Sequence, residues 1–325
     1  MINPTQISSG IKTVSKMVSK PEIVNNIAEK AKVSEKEVMQ HLSSMGTTNK
    51  AVLDVNAIQQ KLRKELISTR NTDLVPIESA EEYKAILERI KNSPFGQKIK
   101  EDIQLDYQDI NSIEEGLLSY CGNHADIHSE INKYLSGRGN PENEPLMKDI
   151  IRALDFSLKD LDKKYGKFDG FVFRQGVMKN GEHQFWSTAE SASSAGNFSK
   201  AWNTPEEILD REYSVIKTKS GHKITEFQKA HKNKYIAEEE ILLPREKDFR
   251  LVPQEEYTEE MLNAREKMLN NLFQHNNKMW KKLQKGQTVS LEKRVQNKQT
   301  GQVKYETVDV DIDYLRNMIR VFEEI

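Results

Sequence analysis

Three consecutive glutamates, Glu238, Glu239 and Glu240, immediately precede the short apolar segment at residues 241–243. Such a segment predicts a β-strand. Successive side chains of a strand alternate between its two faces, so we expect Glu238 and Glu240 on one face and Glu239 on the other. Two carboxylates on one face can stabilise a cationic transition state and handle a proton, as transfer through an oxocarbenium ion requires. Without further context, a solvated acidic edge is the alternative.

An arginine interrupts an otherwise apolar segment, because Arg174 follows the Phe-Val-Phe of residues 171–173 and is followed two positions later by Gly176. The segment predicts a strand with Arg174 near its end. A guanidinium in that place can form two parallel hydrogen bonds with a phosphate or a carboxylate. A structural ion pair is the alternative.

Hydroxyl side chains follow another strand-like segment. Ser187 and Thr188 come directly after an aromatic pair, and a run of small residues at 191–196 leads to Phe198. By itself this composition is typical of a polar loop.

The elements that must hold these residues are predicted as helices first and strands second. Helix-capping boxes occur at Ser79 and Ser112, each with a Glu three residues later, and Thr204 opens one more helix. Strand-like segments are found at 170–176, 213–217, 223–227 and 240–243. This order predicts an α+β fold rather than a parallel doubly wound sheet. The sequence also lacks the G-x-G-x-x-G and P-loop patterns of nucleotide-binding α/β folds.

We divide the chain into four predicted parts: a flexible leader and candidate secretion signal at 1–20, a helical module and linker at 21–77, a core at 78–255, and an extension of helix, β-hairpin and helix at 256–325. The closing helix is predicted from the spacing of Leu315, Met318, Ile319 and Phe322. The leader lacks acidic residues and the continuous apolar region of a cleaved Sec signal. Leaders of injected bacterial effectors share this composition, and so do frayed termini.

Composition narrows the classes of function. The chain has 325 residues, and its 49 basic and 50 acidic side chains give a formal net charge of -1. No excess of positive charge favours nucleic acid or anionic lipid as a partner. No apolar run approaches the roughly 18 residues that a membrane span needs. The single cysteine, Cys121, excludes an internal disulfide and a multi-thiolate zinc site, and makes the reducing cytosol the default compartment.

Two further groups could carry chemistry. His124 and His128 are four residues apart on a predicted helix, a spacing that can ligate zinc, but no HExxH pattern or third ligand accompanies them. Cys121 could act as a nucleophile, but no His-Asn context supports that role, and a buried structural thiol is favoured. We therefore predict no metal site.

Taken in order and spacing, Arg174, Ser187-Thr188 and Glu238-x-Glu240 resemble the R-S-E signature of the mono-ADP-ribosyltransferase toxins, which include the clostridial actin-modifying and Rho-modifying exoenzymes. Further segments are similar to motifs of that family: Tyr120-Cys121-Gly122, Ile131-Asn132-Lys133-Tyr134-Leu135, Phe173-Arg174, Ser187-Thr188-Ala189, Phe198, and residues 238–244 and 249–252. The resemblance covers about residues 80–253. It implies that 78–255 is a catalytic domain, a mixed or antiparallel β-sandwich preceded by helices.

The resemblance implies NAD as the substrate and a role for each matching residue. Arg174 would anchor the NAD phosphates, and Ser187 would orient Glu240. Glu240 would bind the nicotinamide-ribose hydroxyl and stabilise the oxocarbenium ion, while Glu238 would position or deprotonate the acceptor. In this family a Glu at the position of Glu238 goes with arginine acceptors. The remaining NAD contacts would come from Gly176, Thr188, Phe198 and Asn132.

The prediction is therefore a mono-ADP-ribosyltransferase that modifies a protein acceptor inside a host or target cell, which it reaches by a non-classical secretion route. A secretion chaperone is a candidate partner, and no nucleic acid or membrane span is expected. Two alternatives stay open: an NAD glycohydrolase on the same fold, with water as the acceptor, and a non-catalytic interaction protein that binds through its helical flanks.

Overall fold

The computed structural model describes residues 74–106, 112–118, 127–178, 184–196, 204–232, 238–273, 277–296 and 302–325. The predicted leader, the predicted N-terminal module up to residue 73, Cys121, His124 and Phe198 lie outside the described residues. Two compact units divide the chain. The first comprises Met1–Asp102, Tyr120–Phe156 and Glu182–Gln184, and the second comprises Ile103–Ser119, Ser157–Gly181 and Phe185–Ile325.

Helices precede the first strand, as the sequence predicts: α1 (Ala80–Lys91), α2 (Pro94–Asp106), α3 (Ile113–Leu118), α4 (Ile127–Leu135) and α5 (Glu144–Tyr165). The predicted caps are present, because Ser79 Oγ accepts a hydrogen bond from the Glu82 N–H and Ser112 Oγ accepts one from the Glu115 N–H, both at 3.1 Å. Later helices are α6 (Pro205–Leu209), α7 (Ile224–Ala230), α8 (Glu259–Phe273), α9 (Asn277–Gln284) and α10 (Ile312–Asn317).

The second unit contains a six-stranded sheet built from β1 (Phe168–Gln175), β2 (Trp186–Ala189), β3 (Tyr213–Gly221), β4 (Glu240–Leu243), β5 (Phe249–Leu251) and β8 (Ile319–Glu324), in the order β4-β2-β1-β3-β8-β5. All neighbouring strands are antiparallel except β3 and β8, which are parallel. A separate two-stranded sheet pairs β6 (Val289–Gln296) with β7 (Val303–Val310). The fold is thus a helix-and-sheet structure with a mixed, mostly antiparallel sheet.

The two faces of the six-stranded sheet are buried in different apolar clusters. One cluster includes Phe173, Val215 and Val321 together with Met268 from α8. The other includes their chain neighbours Val172, Ile216 and Phe322. The alternation of buried side chains along β1, β3 and β8 therefore fixes the register in which these strands pair, since a shift by one residue would exchange the two faces.

Two sequence predictions about local structure are wrong. Residues 223–227 were expected as a strand, but residues 224–230 form α7, because the buried residues Ile224, Phe227 and Gln228 have the i, i+3, i+4 spacing of one helix face. The predicted closing helix ends at Asn317, and β8 follows it. Pairing with β3 on one side and β5 on the other outweighs the helical spacing of its apolar residues.

Among the helices of the described ranges, none is long and apolar enough to cross a membrane.

Candidate active site

The Arg174 guanidinium is held at the end of β1 by contacts with β2. Its Nη1 donates a hydrogen bond to the main-chain carbonyl of Ser187. The guanidinium also lies 5.1 Å from the centre of the Trp186 ring, a distance suited to cation-π attraction. Both contacts restrict the side chain, so the guanidinium is oriented before any ligand binds.

Ser187 connects this guanidinium to the glutamate triplet. Strand β2 pairs with β4 so that Ala189 lies opposite Glu240 and Ser187 opposite Leu242. On this shared face, Ser187 Oγ donates a hydrogen bond to Glu240 Oε1 at 2.9 Å. Three segments far apart in the sequence thus meet, with the carbonyl of Ser187 bound to Arg174 and its hydroxyl bound to Glu240.

Helix α7 supplies two contacts to Glu240 that were not predicted from the sequence. Gln228 Nε2 donates to Glu240 Oε2 at 3.2 Å, and Thr225 Oγ1 donates to the main-chain carbonyl of Glu240 at 3.0 Å. Glu240 is fully buried, with 0% exposure. Its carboxylate therefore has a hydrogen-bond donor on each oxygen, which fixes its orientation. The spacing of Ile224, Phe227 and Gln228 was the sequence signal that could have placed α7.

Glu239 adopts a left-handed backbone conformation, with φ of 48°. Its carboxylate accepts hydrogen bonds from Ser191 Oγ at 2.6 Å and Ser194 Oγ at 2.5 Å, and its main-chain carbonyl accepts one from the Glu190 N–H at 2.9 Å. The two serine hydroxyls lower the pKa of the Glu239 carboxyl, with a smaller effect from the charge of Lys229. These contacts stabilise a conformation that costs about 1–2 kcal/mol in a residue with a side chain.

Glu238 lies just before β4, half-buried and close enough to Glu240 for the two charges to interact. Burial, and after it the charge of Glu240, raise the pKa of Glu238 from 4.5 to about 7. The carboxylates of Glu238 and Glu240 were expected on one face through strand alternation. Their charges do interact, but strand alternation does not place Glu238, because the strand begins only at Glu240 and Glu239 between them has a left-handed backbone.

A cleft of about 440 Å³ opens beside this network. It is lined by Phe173, Arg174, Gln175, Gly176, Ser187, Asp210, Arg211 and Glu212. Its volume is within the range of small-molecule sites, about 300–1,000 Å³. Two arginines in the lining suit an anionic ligand. Glu238 and Glu240 are not among these lining residues, and Ser187 connects Glu240 to the cleft.

The turn that carries Arg211 is fixed on both sides. Asp210 Oδ1 accepts a hydrogen bond from the Arg294 N–H of β6 at 2.9 Å. On the other side, Glu212 forms an ion pair with Arg320 at 2.9 Å, and its carbonyl accepts a hydrogen bond from the Gly176 N–H at 2.7 Å. Gly176 has a φ of 102°, which favours glycine at this edge of the cleft.

The other predicted NAD contacts are placed differently. Thr188 is buried and donates its hydroxyl to the Ile241 carbonyl at 2.6 Å, so its side chain joins β2 to β4 instead of facing the cleft. The alternation of β2 explains this difference, because Thr188 and Ser187 project from opposite faces. Asn132 lies on α4, in the first unit, and its contact with NAD stays a prediction. In the part of the chain that the structure describes, no group of three or more His, Cys, Asp or Glu side chains could hold a metal ion.

We expect the contacts of Glu239 to contribute measurably to stability. Glu239→Ala removes two charge-assisted hydrogen bonds and keeps the left-handed backbone, so the free energy of unfolding should fall by about 1–3 kcal/mol. Glu239→Gly loses the same hydrogen bonds but relieves the backbone strain, and should recover roughly 1 kcal/mol. Urea unfolding of both variants, with Glu190→Gln as a control at an exposed neighbour, measures the difference. A glycine variant no more stable than the alanine variant would contradict this account.

Comparison with known proteins gives two negative findings and a set of distant structural neighbours. No protein-family profile matches the chain, and no curated protein matches it. Solved structures of the ADP-ribosyltransferase Vis are similar: the complex with M6 inhibitor at 20% identity over 57% of this chain and 83% of that chain, with a TM-score of 0.33, and the complex with agmatine at 18% over 57% and 84%, with a TM-score of 0.31. The ADP-ribosyltransferase HopU1 of Pseudomonas syringae pv. Tomato DC3000 is 15% identical over 75% of this chain and 87% of that chain, with a TM-score of 0.33. At these values the likeness does not by itself assign a family or an activity.

Proposed function

We propose that this chain is a mono-ADP-ribosyltransferase, which cleaves NAD and transfers ADP-ribose to a protein side chain, with arginine as the acceptor. The observation that carries the proposal is the continuous contact from Arg174 through Ser187 to Glu240, beside a cleft lined by two arginines. An anion-binding guanidinium joined to a buried, oriented carboxylate suits a substrate with a diphosphate at one end and a developing positive charge at the other.

In the proposed reaction Arg174, with Arg211 in the same cleft, binds the diphosphate of NAD. Ser187 and Gln228 each donate to one oxygen of the Glu240 carboxylate and orient it, and a carboxylate can accept more than one hydrogen bond on each oxygen, including one from a ribose hydroxyl. Because Glu240 is fully buried, NAD must displace neighbouring atoms to reach it. The fixed negative charge then stabilises the oxocarbenium-like transition state as the bond between ribose C1 and nicotinamide breaks.

Glu238 is the proposed base for the acceptor. The acceptor nitrogen forms a bond to ribose C1, nicotinamide leaves with the electron pair of the broken bond, and the proton of the acceptor nitrogen passes to Glu238. A guanidinium acceptor keeps its proton in water at neutral pH, so its attack needs a base that accepts the proton as the new bond forms. The raised pKa of Glu238, about 7, suits a base at neutral pH.

The target and the route to it extend the proposal. We infer a protein acceptor in a host or target cell, a non-classical secretion route and the involvement of a chaperone from the composition of the leader and the resemblance to toxin transferases. Measuring whether candidate chaperones bind the labelled full-length chain would test the involvement of a chaperone.

The proposed activity is tested by incubating the purified chain with NAD and measuring the release of nicotinamide over time. We expect release that increases when the small guanidinium compound agmatine is added as an acceptor. The melting temperature should rise with NAD concentration, because a ligand that binds only the folded state stabilises it. A chain that neither consumes NAD nor changes its melting temperature with NAD would contradict the proposal.

We expect Arg174→Lys to weaken NAD binding. A lysine can donate to the Ser187 carbonyl but cannot also form parallel hydrogen bonds with a diphosphate. Losing one charged hydrogen bond, worth about 1.5–3 kcal/mol, corresponds to a rise of roughly 10- to 100-fold in the KM for NAD. Arg316→Lys is the matched control, since it makes the same change at an arginine that pairs with Glu266 and does not line the cleft. Equal KM values for the wild type and Arg174→Lys would contradict a role in phosphate binding.

A further inference from the structure

The side-chain amide of Gln228 is buried, and within the described part of the chain its nitrogen is hydrogen-bonded while its oxygen is not. Gln228 is 4% exposed, and its Nε2 donates to Glu240 Oε2. Its Oε1 is buried and has no hydrogen-bond partner among the described residues. A buried acceptor without a donor destabilises the folded chain, so an oxygen left in this state next to the candidate active site suggests a role in binding a donor from outside the chain.

The orientation of the amide follows from the charge of Glu240. If the amide were turned over, Oε1 would face the Glu240 carboxylate and the two oxygens would repel each other. Of the two orientations, only the observed one lets Gln228 donate to Glu240 Oε2, and it leaves Oε1 on the other side of the amide group. The carboxylate therefore fixes where the orphaned acceptor lies.

We propose that Gln228 is a substrate-contacting residue, whose Oε1 accepts a hydrogen bond from one hydroxyl of the nicotinamide ribose while Glu240 accepts from the adjacent one. This inference rests on the proposed function. Glu240 Oε2 and Gln228 Oε1 are two acceptors on either side of a single amide group, and the vicinal hydroxyls of a ribose are two neighbouring donors. The pair of acceptors would recognise the diol and hold C1 beside the Glu240 carboxylate.

Thr225 provides a matched control on the same helix. It is buried, it lies three residues before Gln228, and it also donates to Glu240, but to the main-chain carbonyl. Thr225→Val keeps the shape and removes that hydrogen bond without changing any acceptor for the ribose. Gln228→Met keeps the length of the side chain and removes both of its polar atoms.

The test combines the protein variants with two substrates, NAD and analogues of NAD that lack either the 2′- or the 3′-hydroxyl of the nicotinamide ribose. For the wild type we expect kcat/KM to fall about 10-fold with the analogue that lacks the hydroxyl bound by Gln228. For Gln228→Met, kcat/KM with NAD should be about 10-fold below that of the wild type. With the analogue it should fall by less than a further 3-fold, because this variant no longer makes the contact with that hydroxyl. Thr225→Val should keep the full 10-fold dependence on the hydroxyl.

The proposal would be overturned if Gln228→Met lost as much kcat/KM with each analogue as the wild type does. The effects of the substitution and of the missing hydroxyl would then be independent. Melting curves of all variants report folding, and Gln228→Leu provides a second apolar replacement if the methionine variant does not fold. Failure of the proposed function itself has a different signature, since the wild type would then consume no NAD at all.

Discussion

Glu240→Gln should lower both NAD cleavage and transfer by about 100-fold or more, while the fold stays intact. The substitution keeps the shape of the side chain, and its amide oxygen can still accept from Ser187. It removes the negative charge that stabilises the transition state, and it places an amide where Gln228 now donates to a carboxylate oxygen. Rates of nicotinamide release and of label transfer measure the effect.

Glu190→Gln is the control for this experiment, since it makes the same chemical change at an exposed glutamate near the end of β2. Circular dichroism and urea unfolding establish that both variants are folded. Transfer by Glu240→Gln at a rate near that of the wild type would mean that the role given to Glu240 is wrong.

Glu238→Gln should lower transfer by about 100-fold and NAD hydrolysis much less, because general-base catalysis of this kind contributes about 10²- to 10⁴-fold and hydrolysis needs no guanidinium deprotonation. In the wild type, the protonated side chain cannot accept a proton. Transfer should therefore rise with pH through a midpoint near the raised pKa of about 7 and level off above it. Glu238→Gln should lose this rise.

The raised pKa of Glu238 also predicts how the stability of the fold depends on pH. Burial favours the uncharged form of Glu238, so the contribution of this residue to the free energy of unfolding falls as the pH rises from about 4.5 to about 7. At pH 8, Glu238→Gln should be at least as stable as the wild type in urea. A glutamine variant with the pH profile of the wild type, or one that loses hydrolysis and transfer equally, would assign the base to another group.

The sequence predicts those parts of the site that are recognisable from the type and order of residues in neighbouring strands. The resemblance of Arg174, Ser187 and Glu240 to a family signature implied a shared site, and the contact between Ser187 and Glu240 follows from pairing β2 with β4. The capping boxes were readable because a cap depends on residues only three positions apart.

The remaining features depend on contacts that no local pattern records. Gln228 was missed because the short segment containing Ile224 and Phe227 fits a strand as well as a helix until its burial is known. The left-handed turn at Glu239 was missed because the hydroxyls that stabilise it come from Ser191 and Ser194, more than forty residues away. The segment that forms β8 was predicted as a helix because its apolar residues have helical spacing. Its strand conformation depends on pairing with β3 and β5, which are distant in the sequence.

The most direct test of the central claim is mass spectrometry of a cell lysate incubated with the purified chain and isotopically labelled NAD. We expect labelled ADP-ribose attached to arginine side chains of particular proteins with the wild type, and none with Glu240→Gln. Nicotinamide release without labelled protein would identify water as the acceptor and contradict the transferase assignment. Unchanged NAD together with unlabelled protein would contradict NAD chemistry at this site.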